Sequence, residues 1–135
     1  MQYWLVKTEP EAYAWTQFVK DKRTSWDGVR NFAARIHLKA MSLGDSVLVY
    51  ESVTTKAVVG IAEVSKTAYP DPTADEEGWV SVELTAVRPL TRPVTLAEIK
   101  LDAKLEGILL VRQSRLSVAP LKKSEFDRIV KLGGS

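Results

Sequence analysis

Trp79-Val80-Ser81-Val82-Glu83-Leu84-Thr85-Ala86, running on to Pro89, is the stretch that decides the fold class. Val80, Val82, Leu84 and Ala86 alternate with Ser81, Glu83 and Thr85, and a period of two places one set on a buried face and the other towards water. This is a half-buried strand. Two apolar, β-rich runs precede it, residues 46–50 and 56–64. Residues 2–7, with Tyr3, Trp4 and Val6, read as a further strand, and 108–111 and 116–118 as two short ones. Between 64 and 79, Tyr69-Pro70-Asp71-Pro72 predicts a loop, because each proline restricts both itself and its predecessor.

Helical signals flank the strands. Thr8 and Glu11 have capping-box spacing, and Ala12, Trp15, Phe18 and Val19 follow at helical intervals. Residues 20–24 read as a polar turn and 25–30 as irregular. A second helix is predicted over 31–41, with Phe32, Ile36 and Ala40 on one face and Gly44 as its stop. Thr95 and Glu98 again have capping-box spacing, for one helical turn over 95–100. A last helix covers 123–132, burying Phe126, Ile129 and Val130, and Gly133-Gly134 closes it. The sum is a mixed α+β domain: a curved or closed antiparallel sheet with helices at its edges.

The 135 residues fit one domain, 1–135, with no internal repeat or linker. Apolar content of 45% is ordinary for a folded chain. No run approaches the ~20 apolar residues of a membrane span, and the first residues lack the basic and apolar regions of a signal peptide. Cysteine is absent, which excludes disulfides, thiol catalysis and cysteine-rich zinc sites. A soluble, cytoplasmic protein without cofactor or metal, and a monomer, is the expectation.

Net charge is only +2, but its distribution is uneven. Lys20, Lys22, Arg23, Arg30, Arg35 and Lys39 stand against Asp21 and Asp27. Arg112, Arg115, Lys122, Lys123, Arg128 and Lys131 stand against Glu125 and Asp127. Asp71, Asp75, Glu76, Glu77 and Glu83 form an acidic stretch between them. Two basic segments that met in space would attract phosphates; apart, they are solvated surface.

Nothing specific points to catalysis. His37 is the only histidine, no Gly-x-Ser-x-Gly elbow occurs, and no glycine opens a phosphate-cradling loop. The segment Trp26-Asp27-Gly28-Val29-Arg30-Asn31-Phe32-Ala33-Ala34-Arg35 is more informative. It packs an aromatic ring, a carboxylate, an amide and two guanidinium groups around a glycine. These are the parts that hold a base: a face to stack on, polar groups for its edge, and arginines for phosphate. The same residues also suit a core tryptophan, a turn aspartate and a capping asparagine. Arg112-Gln113-Ser114-Arg115-Leu116-Ser117 is a second polar cluster, at a predicted strand end or in a polar turn.

These clusters occur with Trp4-Leu5-Val6-Lys7-Thr8-Glu9-Pro10, Tyr50 with Ser52, Val59-Gly60-Ile61-Ala62, Tyr69-Pro70-Asp71 and Pro93-Val94-Thr95-Leu96. In that order the chain resembles the EVE-domain family of the PUA-like superfamily. The resemblance implies a PUA-like β-barrel with flanking helices. It also implies a reader of modified bases in DNA or RNA, modified cytosine above all, and not an enzyme. By matching motif positions, the pocket would draw on Trp26, Asp27, Arg30, Asn31, Arg35, Tyr50, Ser52, Gln113, Ser114 and Arg115, with Lys7 and Glu9 at its rim. Trp26 would stack on the base and Asn31, Ser52, Gln113 or Asp27 bond its edge. Arg30, Arg35 and Arg115 would hold phosphates. Trp26→Ala would then abolish binding and leave the fold intact. The family usually has His where this chain has Glu51, and an acid facing the ligand there would repel phosphate. Two other readings stay open: a nuclease or base-processing enzyme using Asp27 or His37, and an RNA-binding accessory without base selectivity.

Overall fold

Strands β1 (Tyr3–Thr8) and β3 (Ser46–Glu51) run side by side and parallel, with Tyr3 opposite Ser46 and Thr8 opposite Glu51. A parallel pair needs a long crossover. Helix α1 (Trp15–Asp21), strand β2 (Arg23–Trp26) and helix α2 (Phe32–Ala40) supply it. The computed structural model describes residues 1–113 and 115–134. It continues with β4 (Ala57–Pro70), β5 (Val80–Thr95), α3 (Leu96–Leu101), a 3-10 turn (Ala103–Leu105), α4 (Leu109–Arg112), β6 (Val118–Leu121) and α5 (Lys123–Leu132).

The six strands form one sheet in the order β2-β5-β4-β3-β1-β6. Four of its five pairings are antiparallel, as expected; β1–β3 is the exception. The end strands β2 and β6 are not paired with each other, so among the described residues the sheet is open, not closed into a barrel.

Both faces are covered. Trp4, Val6, Val47, Val49, Val82 and Leu84 pack with Phe18 of α1 and with Ala34 and Leu38 of α2. Leu5, Leu48, Tyr50 and Val58 pack on the other side with Ile99, Ile108, Phe126 and Ile129. Burial on both faces explains why residues 46–50 read as an unbroken apolar run. β4 and β5 are long and their register shifts at several points. Such bulges bend strands, and each of these two contributes to both cores. Pro89 and Pro93 fit within β5 because β2 pairs only with residues 82–85, leaving the later part of β5 with β4 as its neighbour.

Local readings that failed did so for tertiary reasons. Thr8 is not a helix cap: its hydroxyl donates to the Tyr13 carbonyl at 2.7 Å, and α1 starts only at Trp15. Residues 23–26, read as the end of a polar turn and the start of an irregular segment, form β2 against β5. Tyr69 and Pro70 end β4 instead of forming a loop. Residues 109–112 are a helical turn, not a strand. On α2 the buried residues are Ala34 and Leu38, whereas Phe32 and Ile36 are exposed. The Thr95–Glu98 capping box and the last helix stand as read.

α1 is fastened to the sheet by an aromatic ring over a glycine. The Trp15 indole lies directly on Gly60 of β4, so a Cβ at that position would collide with the ring. Overpacking of this kind costs about 1–3 kcal/mol. Gly60→Ala should lower the urea midpoint accordingly, while Gly107→Ala, where a Cβ meets nothing, should leave it unchanged.

Candidate nucleic-acid interface

The turn between β2 and α2 is where the fold concentrates polar chemistry. Gly28 takes φ +76°, a region that favours glycine, and turns the chain sharply after Trp26. Asn31 then caps α2, its Oδ1 accepting from the Ala34 N–H at 2.9 Å. That bond commits the carbonyl end of the Asn31 amide to the helix and leaves the Nδ2 donors for other partners.

A buried carboxylate distant in sequence holds this turn. Asp71, just after β4, accepts from the Gly28 N–H and from Arg30 Nη1, both at 2.9 Å, on Oδ2. Its Oδ1 accepts from the Thr73 N–H and the Thr73 hydroxyl, both at 2.7 Å. The carboxylate is closed to solvent. Burial alone would push its pKa up. The hydrogen bonds from Thr73, Arg30 and Gly28 more than offset burial and hold the carboxyl well below the usual range. Next to it, the Arg30 guanidinium lies 5.6 Å from the Trp79 ring centroid. Arg35 lies 4.7 Å from Trp79 and 4.9 Å from Phe32, and donates to the Gly78 carbonyl. The 71–79 loop is thereby strapped to α2.

The turn forms one wall of a cavity of about 570 Å³. Thr24 to Asn31 line it together with Lys7, Thr8, Glu9, Ala12 and Tyr13, and with Ser117, whose carbonyl accepts from the Lys7 N–H at 2.9 Å. Of the expected site residues, Trp26, Asp27, Arg30 and Asn31 meet here, and Lys7 and Glu9 are present as expected. Burial lowers the pKa of the Lys7 ammonium. A second cleft, about 340 Å³, is lined by Asn31, Ala33, Arg112, Gln113, Arg115 and Leu116. Gln113 and Arg115 thus stand beside the main cavity, across Asn31. Ser114 lies outside the described residues.

Three expected residues serve elsewhere. Tyr50 is buried in the core on the opposite face of the sheet. The Ser52 hydroxyl and N–H both donate to the Thr8 carbonyl, at 3.3 and 2.9 Å, so Ser52 positions a wall residue and lines no part of the cavity. Arg35 is engaged with Gly78, Phe32 and Trp79. His37, the alternative acid or base, packs by Trp4 with ring centroids 6.1 Å apart and does not line the cavity.

Glu51 is not a ligand-facing acid. Its carboxylate accepts from the Trp15 N–H at 2.8 Å and from the Thr55 hydroxyl at 2.9 Å. An acid at the first turn of α1 satisfies an orphan donor and the positive end of the helix.

Trp26 lines the cavity but is only 8% exposed, its indole set against Tyr13 and Phe18. Most of the ring is core. The expectation that Trp26→Ala would spare the fold is therefore corrected.

A model of the EVE domain matches residues 2–132. The chain belongs to the EVE-domain family. This EVE domain is 33% identical to mouse thymocyte nuclear protein 1 over 96% of its own length and 73% of that protein. A solved protein from Rhodopseudomonas palustris is 43% identical with a TM-score of 0.94, covering 99% of this chain and 94% of the other. The human THYN1 protein, solved in complex with 5-methylcytosine-containing DNA, is 30% identical with a TM-score of 0.88, covering 100% and 99%.

The EVE domain also places Tyr13, Thr24, Ser25, Val29 and Ser117 in the cavity wall. Thr24 and Ser25 escaped sequence reading because β2 did. Ser117 closes the polar cluster begun at Arg112 and was within reach.

Two outcomes follow for stability. Trp26→Ala should cost about 3–5 kcal/mol, as for other buried aromatics, read by urea unfolding. Because the folded-state pKa of Asp71 is depressed, its contribution is complete above pH ~4 and is lost as pH falls further. Asp71→Asn should therefore be destabilised at pH 7, and its deficit against wild type should shrink between pH 4 and pH 2.

Proposed function

We propose that this EVE domain reads a modified base, 5-methylcytosine in DNA first, by receiving a single nucleotide extruded from its stack. One observation carries the reading. The cavity at the β2–α2 turn is lined by Trp26, Asp27 and Asn31, in a family whose human member is solved with 5-methylcytosine-containing DNA. Its volume lies within the roughly 300–1,000 Å³ of small-ligand pockets.

The wall residues narrow the roles. With Ser52 outside the cavity and Gln113 in the neighbouring cleft, Asp27 and Asn31 remain to meet the base edge. Cytosine presents an amino donor at N4 where thymine presents an acceptor. Both 5-methylcytosine and thymine carry the methyl group, so the methyl cannot separate them. The Asp27 carboxylate, an acceptor only, accepts from N4 and refuses thymine, a discrimination of about 1–3 kcal/mol, or ~5- to 150-fold. Asn31 donates through its Nδ2 to a base acceptor. The methyl group itself adds about 0.8 kcal/mol by area and up to ~3 kcal/mol in a tightly shaped pocket. Preference over unmodified cytosine is then ~4- to 200-fold.

The proposed role is binding: the human relative is solved with DNA, and His37, the alternative acid or base, does not line the cavity. Fluorescence anisotropy with short DNA and RNA strands, plain and modified, tests the reading. Tightest binding to 5-methylcytosine DNA, with Asp27→Asn reducing the preference for 5-methylcytosine over thymine at least fivefold, is expected. A flat affinity profile in the wild type would assign the protein to base-blind nucleic-acid binding, and no binding to any strand would remove nucleic acid as its partner.

A further inference from the structure

We infer that the cleft beside the base cavity, lined by Asn31, Ala33, Arg112, Gln113, Arg115 and Leu116, seats the DNA phosphate adjoining the bound base, with Arg112 joining Arg115 as its contacts. The inference rests on the base-reading proposal and adds the path of the strand.

The cleft and the cavity share one wall residue, Asn31. A nucleotide whose base enters the cavity keeps its sugar-phosphate at the mouth, so an adjoining phosphate must leave over one rim or another. The rims differ in charge. On one flank the cleft of about 340 Å³ carries Arg112 and Arg115 and no acid. On the other, the 71–79 loop carries Asp75, Glu76 and Glu77 beside Asp71, which Arg30 already pairs, and Arg35, which is bonded to Gly78. A polyanion is drawn to the first flank and repelled from the second.

The other arginines near the mouth are already engaged. Arg30 is ion-paired with Asp71 at 2.9 Å, and Arg35 donates to the Gly78 carbonyl and packs against the rings of Phe32 and Trp79. Among the described residues, neither Arg112 nor Arg115 is in an ion pair. Arg112 is oriented by one bond, its Nε donating to the Glu106 carbonyl at 3.0 Å. That bond uses Nε and leaves the paired terminal nitrogens, the part of the guanidinium that grips phosphate oxygens in pairs. Arg112 is thus a phosphate contact that sequence reading did not assign.

Each phosphate neutralised by the protein steepens the salt dependence of duplex binding by about 0.9 in log K against log salt. The test measures that slope by anisotropy with a 5-methylcytosine-containing duplex for wild type, for Arg112→Gln/Arg115→Gln, and for Lys100→Gln/Lys104→Gln. The last pair removes the same charge from the α3 region, whose Ile99 packs in the opposite core. Arg112 and Arg115 are exposed, so thermal melting should be unchanged in the arginine variant. The expected result is a slope shallower by about 1.8 in that variant alone, with the preference for 5-methylcytosine over cytosine retained. An unchanged slope, or an equal drop in the lysine variant, overturns the inference while a retained base preference leaves the base reading standing. Absence of DNA binding by the wild type would sink both.

Discussion

The Asp71 carboxylate joins two parts of the chain that the sequence keeps far apart, its partners Gly28 and Arg30 standing 43 and 41 residues before it. Its two oxygens take four hydrogen bonds: from the glycine turn after β2, from the arginine that precedes α2, and from the loop after β4. An ionised carboxylate removed from water is costly unless every lone pair is used, and here the positive charge of Arg30 and two backbone N–H groups supply the compensation. The same arrangement fixes the turn that carries Asp27 and Asn31 and cancels the charge of Arg30. One ion pair, its carboxylate buried and its arginine exposed, therefore holds the cavity wall and occupies Arg30.

Two more buried acids work in the same manner. Asp45 accepts from the Gln2 N–H, the Trp4 indole N–H and the Ser42 N–H, tying the first strand to the start of β3. Glu51 accepts from the first turn of α1 and from Thr55. Each is a local clamp at the end of an element, where backbone donors would otherwise lie unpaired. Glu51 is instructive because its departure from the usual family residue suggested an altered ligand preference. Its carboxylate instead points at a helix terminus, and the cavity wall is formed without it.

Periodicity and capping were legible where the signal is local. The alternation through Val82 and Leu84, the Thr95–Glu98 box and the spacing of Phe126 and Ile129 on α5 all describe what those segments do in the fold. Signals that depend on a distant partner were not legible. β2 is a strand because β5 lies beside it; its four residues look like a turn running into an irregular segment in isolation. A short apolar run such as 109–112 carries no periodicity that separates strand from helix. α2 hides its small residue Ala34 and Leu38 while Phe32 packs on Trp79, so the larger side chains misdirected the choice of buried face. At the site, motif matching found Trp26, Asp27, Arg30 and Asn31 together, but it could not tell a wall residue from a support. Ser52, Tyr50 and Arg35 do not line the cavity. Asp71 sits in an acidic stretch that reads as solvated charge.

The base-reading proposal makes the turn at residues 26–31 the centre of recognition, with the end of β1 and Ser117 also lining the cavity. Amide chemical-shift mapping by NMR, with a 5-methylcytosine-containing DNA strand added stepwise, addresses this most directly. The account predicts the largest shifts at Lys7 to Glu9, Thr24 to Asn31 and Ser117, with the amides of α3 and α5 unmoved. Shifts centred on α3 and α5, or none at saturating DNA, would contradict it.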